Sequence, residues 1–147
     1  MGGCHVLLRK VDGAEILARI ERQGVTLMAG APAVSNAILD AAARWNGSIP
    51  GRRRLGTVVA GAPPPPKTIE RIEAELGWEF IQIYGLTETA PLLTMNRDRA
   101  EYDGLSALER AEQLARTGVP SLATELRIDD IHTESCPDRA VVVQLAA

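Results

Sequence analysis

Short apolar runs alternate with helix-length amphipathic segments along most of the chain, and this alternation constrains the fold more than any other feature. Strand-like runs occupy 4–10, 25–31, 55–62 and 78–85. Segments with apolar residues three or four positions apart occupy 12–24, 32–47, 65–77 and 106–118. Strands separated by helices of this length pair in parallel through crossover connections. The sequence therefore predicts an α/β fold with an open, largely parallel sheet and helices on its faces.

Residues at the predicted helix ends support these boundaries. Asp12 is a predicted N-cap, and Gly24 ends the same helix. Ser106 and Glu109 have the spacing of a capping box, in which each side chain accepts a hydrogen bond from the other residue's backbone. Pro66 suits a helix start, because a backbone N–H at that position would have no helical partner.

Composition and charge narrow the possible partners. A chain of 147 residues with 46% hydrophobic residues can enclose one core, so a single domain is predicted. The net charge of -3 and the aromatic content of 3% argue against binding to nucleic acid, which needs positive charge and stacking rings. Cys4 and Cys136 form no CxxC pair, which argues against a disulfide framework or a cysteine zinc site.

The N-terminal region carries no targeting signal that we recognise. Its apolar run has only three residues before Arg9, which is too short for a secretory signal. No segment of the sequence approaches the length of a membrane span. We therefore expect no transmembrane segment and a cytoplasmic location.

Two polar or glycine-containing stretches follow neighbouring strands of the predicted sheet. "YGLTE" (84–88) begins where the strand at 78–85 ends. "GAPPPP" (61–66) lies at the end of the preceding strand, 55–62. Ligands of open α/β sheets bind beyond the carboxyl ends of the strands. A glycine, an aromatic ring, hydroxyl groups and one carboxylate suit a planar base, a phosphate and a hard cation. The sequence therefore predicts a small-molecule site at this edge.

These stretches resemble the AMP-forming acyl-CoA synthetases of the adenylate-forming superfamily. "YGLTETAP" is similar to the YGxTE motif of that family, and "VAGAPPPPKTIERIEAELG" is similar to its GGAP strand and helix. Upstream, "GVTLMAGAPAV" resembles the family's VT and proline stretch, and downstream "RTGVPSLATELRI" resembles the region after YGxTE. The resemblance covers residues 2 to about 128. We expect 1–128 to be part of an AMP-binding domain and 129–147 to be a divergent tail.

The resemblance implies part of the large N-terminal domain of an adenylate-forming enzyme, and it implies roles for individual residues. Thr87 and Glu88 are the implied catalytic residues, with Thr87 reaching the α-phosphate or acyl carbonyl and Glu88 holding Mg²⁺. The implied cofactor-binding residues are Gly61, Ala62, Pro63, Tyr84, Gly85 and Thr87. The first three border the adenine, and the tyrosine lies against its ring.

The reaction implied by the resemblance uses ATP, Mg²⁺ and coenzyme A. A carboxylic or fatty acid attacks the α-phosphate of ATP, diphosphate leaves, and the acyl-adenylate passes its acyl group to coenzyme A with release of AMP. Binding, positioning and charge neutralisation supply most of the catalysis in such reactions. The expected partners are a nucleotide and a carboxylic acid.

Several motifs of the family are absent from these 147 residues. They are the phosphate loop ending in P-K-G, the Y-x-T-G-D motif with its ribose-binding aspartate, and the late catalytic lysine. The chain alone is therefore not expected to complete the reaction. The alternatives are a non-catalytic interaction module that pairs with itself or a relative through an exposed sheet edge, and a decayed reading frame.

Other interpretations of single residues remain open from the sequence. Tyr84 could be a packing residue at a strand end, Thr87 a helix N-cap and Glu88 an acid of the first helical turn. The arginines at 52–54 could contact coenzyme A phosphates, although such a run is usually solvated. His132 and Glu134 resemble the start of a deaminase zinc motif, but the P-C-x-x-C that this motif needs is missing.

Overall fold

The computed structural model describes residues 2–89, 91–122 and 124, and within these residues the chain forms one mixed five-stranded sheet in the order β1-β2-β3-β4-β5. The strands are β1 (Leu27–Gly30), β2 (Gly56–Val59), β3 (Glu79–Tyr84), β4 (Thr94–Asn96) and β5 (Val119–Pro120). β1, β2 and β3 are parallel, whereas β4 is antiparallel to β3 and β5 is antiparallel to β4. The predicted α/β fold is confirmed, and the two antiparallel strands are additions to the prediction.

The α-helices of the described residues pack on one face of this sheet. They are α1 (Gly13–Gln23), α2 (Pro32–Ala42), α3 (Pro66–Arg71) and α4 (Ala107–Leu114). β1, β2 and β3 are neighbours in sequence order, so right-handed crossovers place α2 and α3 on the same side. Each α-helix and the sheet contribute to one buried cluster, represented by Leu17, Ile38, Ile69, Phe80 and Leu114.

The capping residues act as predicted. The Asp12 carboxylate accepts hydrogen bonds from the backbone N–H groups of Ala14 and Glu15, both at 3.0 Å. Gly24 ends α1 with φ +61°, a left-handed conformation that glycine adopts without steric cost. The capping box of Ser106 and Glu109 is formed at the start of α4.

Three helices differ from the predicted ranges at their C-terminal ends, and among them α4 stops at Leu114 rather than at 118. α2 stops at Ala42 rather than at 47, because the N–H groups of Arg44 and Trp45 donate to carbonyls only three residues back. α3 begins at Pro66 as predicted, and the chain then continues as a π-helical turn, Ile72–Leu76. The N–H of Gly77 closes that turn by donating to the carbonyl of Ile72 at 3.1 Å.

The prediction of a strand at 4–10 is wrong. This segment has no strand partner among the described residues, and Leu7 is 79% exposed. The Leu7 carbonyl accepts a hydrogen bond from the Arg19 guanidinium on α1 at 2.9 Å. A short apolar run becomes a strand only where a neighbouring strand pairs with its backbone, and the sheet supplies none here.

The second face of the sheet carries apolar side chains that no described helix covers. Strand register places Leu27, Val58, Ile81, Ile83, Met95 and Val119 on this side, which we call the open face. Leu27 and Val119 are 63% and 46% exposed, whereas Ile81 is buried. The side chains of Leu27 and Ile81 meet above Gly56, where each lies 3.4 Å from the position of an added Cβ.

Candidate functional site

The two predicted loops lie side by side at one edge of the sheet. Val59, the last residue of β2, is paired with Gln82 of β3 in parallel register. Gly61 and Tyr84 each follow that pair by two residues, so the loops that they begin leave the sheet at the same level. The structure thus brings the "GAPPPP" and "YGLTE" segments together, as the topology predicted.

The loop after β2 presents accessible backbone to this edge. Gly61, Ala62 and Pro63 are exposed, and Pro64 is buried beneath them. Gly61 has φ +89°, and a Cβ built on it would have no atom within 4 Å. This glycine is therefore required by its backbone conformation and leaves open space beside the loop.

Tyr84 is fixed through its backbone while its side chain remains accessible. Its carbonyl accepts a hydrogen bond from the N–H of Leu93 at 2.9 Å, and the residue is 37% exposed. Its partner in the ladder with β4 is Thr94. A tyrosine ring held in this way offers a flat apolar surface at the sheet edge.

Gly85 has a structural role within its own loop. A Cβ at this position would overlap the carbonyl oxygen of Pro91. The absence of a side chain thus lets two backbone segments of the chain approach each other. The glycine shapes the loop internally, and its part in binding a cofactor stays a prediction.

The segment Thr87–Thr89 is a single 3₁₀ turn, and Thr89 holds it closed. The Thr89 hydroxyl accepts from the N–H of Leu86 and donates to its carbonyl, both at 2.9 Å. The interpretation of Thr87 as a helix N-cap is therefore wrong, because Thr87 lies within this 3₁₀ turn and the next α-helix of the described residues is α4. The side chains of Thr87 and Glu88 are exposed and form no hydrogen bond with other described residues.

The residues at this edge fit a magnesium ion only together with a ligand that carries phosphates. Glu88 is the carboxylate there, and the described residues contain no group of three His, Cys, Asp or Glu side chains that could hold a metal. Mg²⁺ usually retains several waters and takes one or two carboxylates together with substrate phosphates. The exposed Glu88 carboxylate is compatible with Mg²⁺ that is bound jointly by one carboxylate and the phosphates of a substrate.

Two polar groups beside Tyr84 were not predicted from the sequence. Gln82 and Thr94 are 4% and 1% exposed, and the Gln82 Oε1 and Thr94 Oγ1 atoms have no hydrogen-bond partner among the described residues. They are diagonal neighbours across β3 and β4 on the helix-covered side. Unpaired buried polar atoms are uncommon in folded proteins, and these two lie beside Tyr84 on the core side of the sheet. Their only sequence signal was a polar residue at a core-facing strand position.

The tail at 129–147, with His132, Glu134 and Cys136, lies outside the described residues. Within the described part of the chain, no helix combines the length and the apolar character that a membrane span requires.

Comparisons with known proteins identify the family. The sequence profile described as AMP-binding enzyme matches residues 1–141. The 2-methylpropanoate–CoA ligase CCL4 of Humulus lupulus is 41% identical over 119 residues, which are 81% of this chain and 20% of that protein. The 4-hydroxybutyrate–CoA ligase 2 of Metallosphaera sedula is 34% identical over 137 residues, or 93% of this chain and 24% of that protein.

Solved structures show the same fold. The long-chain-fatty-acid–CoA ligase FadD1 from Archaeoglobus fulgidus aligns with a TM-score of 0.63 and 18% identity, over 89% of this chain and 25% of that one. O-succinylbenzoate coenzyme A synthetase from Bacillus subtilis in complex with AMP aligns with a TM-score of 0.61 and 21% identity, over 80% and 21%.

The chain spans between 20% and 24% of the length of the two ligases from Humulus lupulus and Metallosphaera sedula. The resemblance noted at YGxTE and GGAP is confirmed by the family profile, which covers nearly the whole chain. The chain therefore belongs to the family of AMP-binding enzymes, and its curated relatives include acyl-CoA ligases.

Proposed function

We propose that this chain supplies the adenine- and Mg²⁺-binding part of an ATP-dependent acyl-CoA ligase. In this reaction a carboxylic or fatty acid, ATP and coenzyme A give acyl-CoA, AMP and diphosphate through an acyl-adenylate. The observation that carries the proposal is the pair of adjacent loops after β2 and β3, which leaves Tyr84, Thr87 and Glu88 accessible at one edge. The ligase names of the relatives support the same reaction class.

Each proposed role follows from the chemistry of the side chain. The Tyr84 ring stacks against adenine, and the exposed backbone at 61–63 borders the base. The Thr87 hydroxyl donates a hydrogen bond to a phosphate oxygen or to the acyl carbonyl. Glu88 holds Mg²⁺, which neutralises phosphate charge that would otherwise repel an incoming carboxylate.

We also propose that these 147 residues bind nucleotide without completing the reaction. The residues that bind the diphosphate end of ATP and the ribose, and the late catalytic lysine, are not found among them. We therefore expect the chain to bind ATP but not to form acyl-adenylate.

Calorimetric titration of the folded chain with ATP, with and without Mg²⁺, tests the proposal. We expect saturable binding that depends on Mg²⁺ and weakens about ten-fold or more in Glu88→Gln, since a charge-assisted interaction contributes about 1.5–3 kcal/mol. Glu112→Gln, at an exposed position on α4, is the matched control and is expected to bind like the original chain. A folded chain that does not bind ATP contradicts the proposal.

A second candidate function is self-association through the sheet edge at β1. Among the described residues β1 pairs with β2 alone, so its other side presents unpaired backbone groups. Leu27 on this strand is 63% exposed. An oligomeric state that nucleotide does not change would favour this function over the nucleotide site.

A further inference from the structure

A cavity of about 400 Å³ lies at the end of β3 opposite to Tyr84. β3 has six residues, so the two ends of the strand are roughly 17 Å apart. Its charged lining residues are Arg52, Arg53, Glu73, Glu79, Asp98 and Arg110. The sequence indicated a solvated run of arginines at 52–54, and all three are exposed; the first two also line the cavity.

The three carboxylates of the cavity are all engaged by arginines. The Arg110 guanidinium contacts Glu73 at 3.0 Å and Asp98 at 2.6 Å. The hydrogen bonds to Glu73 and then to Asp98 raise the pKa of Arg110 above its ordinary value. Glu79 is paired with Arg97 at 2.7 Å. Each carboxylate of the cavity therefore has an arginine partner, although two guanidinium groups, those of Arg97 and Arg110, serve all three of them.

Arg52 and Arg53, in contrast, have no carboxylate partner within the described part of the chain. Arg52 donates one hydrogen bond from Nη2 to the carbonyl of Glu75 at 2.7 Å, which orients its guanidinium and leaves its other N–H groups available. Both arginines are exposed, so a ligand in solution can reach them. The cavity's lining arginines that pair with no described carboxylate thus lie on this wall.

The backbone that carries these arginines is held in an unusual conformation. Arg53 has φ +60°, which costs a residue with a side chain about 1–2 kcal/mol relative to the right-handed region. Its N–H donates to the carbonyl of Gly77 at 2.8 Å, and the Trp78 indole N–H donates to the carbonyl of Pro50 at 2.8 Å. Both bonds tie the loop to the end of the π-helical turn Ile72–Leu76. The chain thus holds the arginine loop rigidly at the cavity.

We propose that this cavity binds the phosphate group of a small anionic ligand through Arg52 and Arg53. Guanidinium groups bind phosphate oxygens through paired N–H donors, and a fixed loop lowers the entropy lost on binding. A volume of about 400 Å³ accommodates more than a single phosphate, so the ligand is a diphosphate or a larger phosphate ester. This site is separate from the nucleotide edge at Tyr84.

Calorimetric titration with inorganic diphosphate at constant ionic strength, set with potassium chloride, tests this proposal. Arg53→Gly removes the guanidinium at a position where glycine adopts the same backbone without strain, so the fold is retained. We expect this variant to bind diphosphate about ten-fold or more weakly, as loss of a charge-assisted hydrogen bond implies. Arg54→Ala removes one positive charge from the same loop outside the cavity lining and is expected to bind like the original chain.

Three results would overturn the cavity site. Equal weakening in Arg53→Gly and Arg54→Ala would mean that diphosphate responds to the general charge of the loop. In a titration that contains Mg²⁺, loss of diphosphate binding in Glu88→Gln, with Arg53→Gly unaffected, would place the anion at the other end of β3. Absence of saturable diphosphate binding to the folded chain would also contradict the proposal, and circular dichroism of each variant establishes that it is folded.

Discussion

At the scale of single residues, Gly85 and Gly104 are both loop glycines, but a side chain would meet different surroundings at each. A Cβ at Gly85 would overlap the Pro91 carbonyl, whereas a Cβ at Gly104 would have no atom within 4 Å. We expect Gly85→Ala to lower the free energy of unfolding by about 1–3 kcal/mol, the usual cost of forcing extra volume into a packed region. Urea unfolding measures this loss. Gly104→Ala is the control, and equal stability of the two variants would contradict the close approach.

Gln82 gives a second prediction at this scale. Its buried Oε1 lacks a hydrogen-bond partner among the described residues, so the folded state carries the cost of removing that oxygen from water. We expect Gln82→Met, which has similar volume and no amide, to raise the free energy of unfolding by about 1 kcal/mol. Thermal unfolding tests this, with Gln23→Met at the exposed end of α1 as control. A less stable Gln82→Met would show that the amide is satisfied in solution.

The same residues show how far a sequence can define a site. The position of the "YGLTE" loop followed from strand order, because parallel strands bring their carboxyl ends to one edge. The internal role of Gly85 did not follow, since it depends on where the chain returns at Pro91. The burial of the Gln82 and Thr94 oxygens did not follow either, since it depends on the pairing of β4 with β3.

At the scale of elements, the capping box of α4 predicts a response to acid. The hydrogen bond from the Ser106 hydroxyl, followed by that from its backbone N–H, lowers the pKa of Glu109 below its ordinary value of 4.5. A carboxyl whose pKa is lower in the folded state stabilises the fold above its unfolded pKa. That contribution is lost as the pH falls through the folded pKa. We therefore expect Ser106→Ala to raise the pKa of Glu109 and to weaken the acid dependence of unfolding.

Carbon-detected NMR titration of Glu109 and urea unfolding at neutral and acidic pH measure these two effects. Ser48→Ala, at an exposed position outside α4, is the control and is expected to leave both unchanged. A Glu109 titration that is the same with and without the Ser106 hydroxyl would contradict the role assigned to the capping box.

The elements also show which sequence signals are sufficient to predict a helix or a strand. Helix starts were predicted well, because an N-cap or an N-terminal proline acts through its own neighbours. β4 and β5 were not predicted, since strands of three and two residues contain too little alternation to detect. The false strand at 4–10 has the opposite cause, because its pattern was adequate but no strand of the described residues lies beside it.

At the scale of the whole molecule, the described helices cover only one face of the sheet, and this determines which sheet residues are exposed. Strand order follows sequence order from β1 to β3, so successive right-handed crossovers accumulate on the same side. The sequence contains this information in the βα alternation. The exposure of the open face, however, depends on what else packs there, and local periodicity does not report that.

Leu27 connects this feature to a final prediction, because it belongs both to the edge strand β1 and to the open face. It is 63% exposed, and large apolar groups on an unpaired strand promote association between chains. We expect the chain to self-associate with rising concentration and Leu27→Lys to shift it toward the monomer. The stability of the fold should change by no more than about 0.5 kcal/mol, as is usual for exposed positions.

Sedimentation velocity over a concentration series measures this shift, and Leu7→Lys provides the matched control. Leu7 is 79% exposed but lies outside the sheet, so the same added charge there should leave association unchanged. If Leu27→Lys and Leu7→Lys reduce association equally, net charge and not the strand edge controls it. A chain that stays monomeric over the series and unfolds in one sharp transition would exclude the edge as a site of self-association, because the unpaired side of β1 would then be tolerated without a partner.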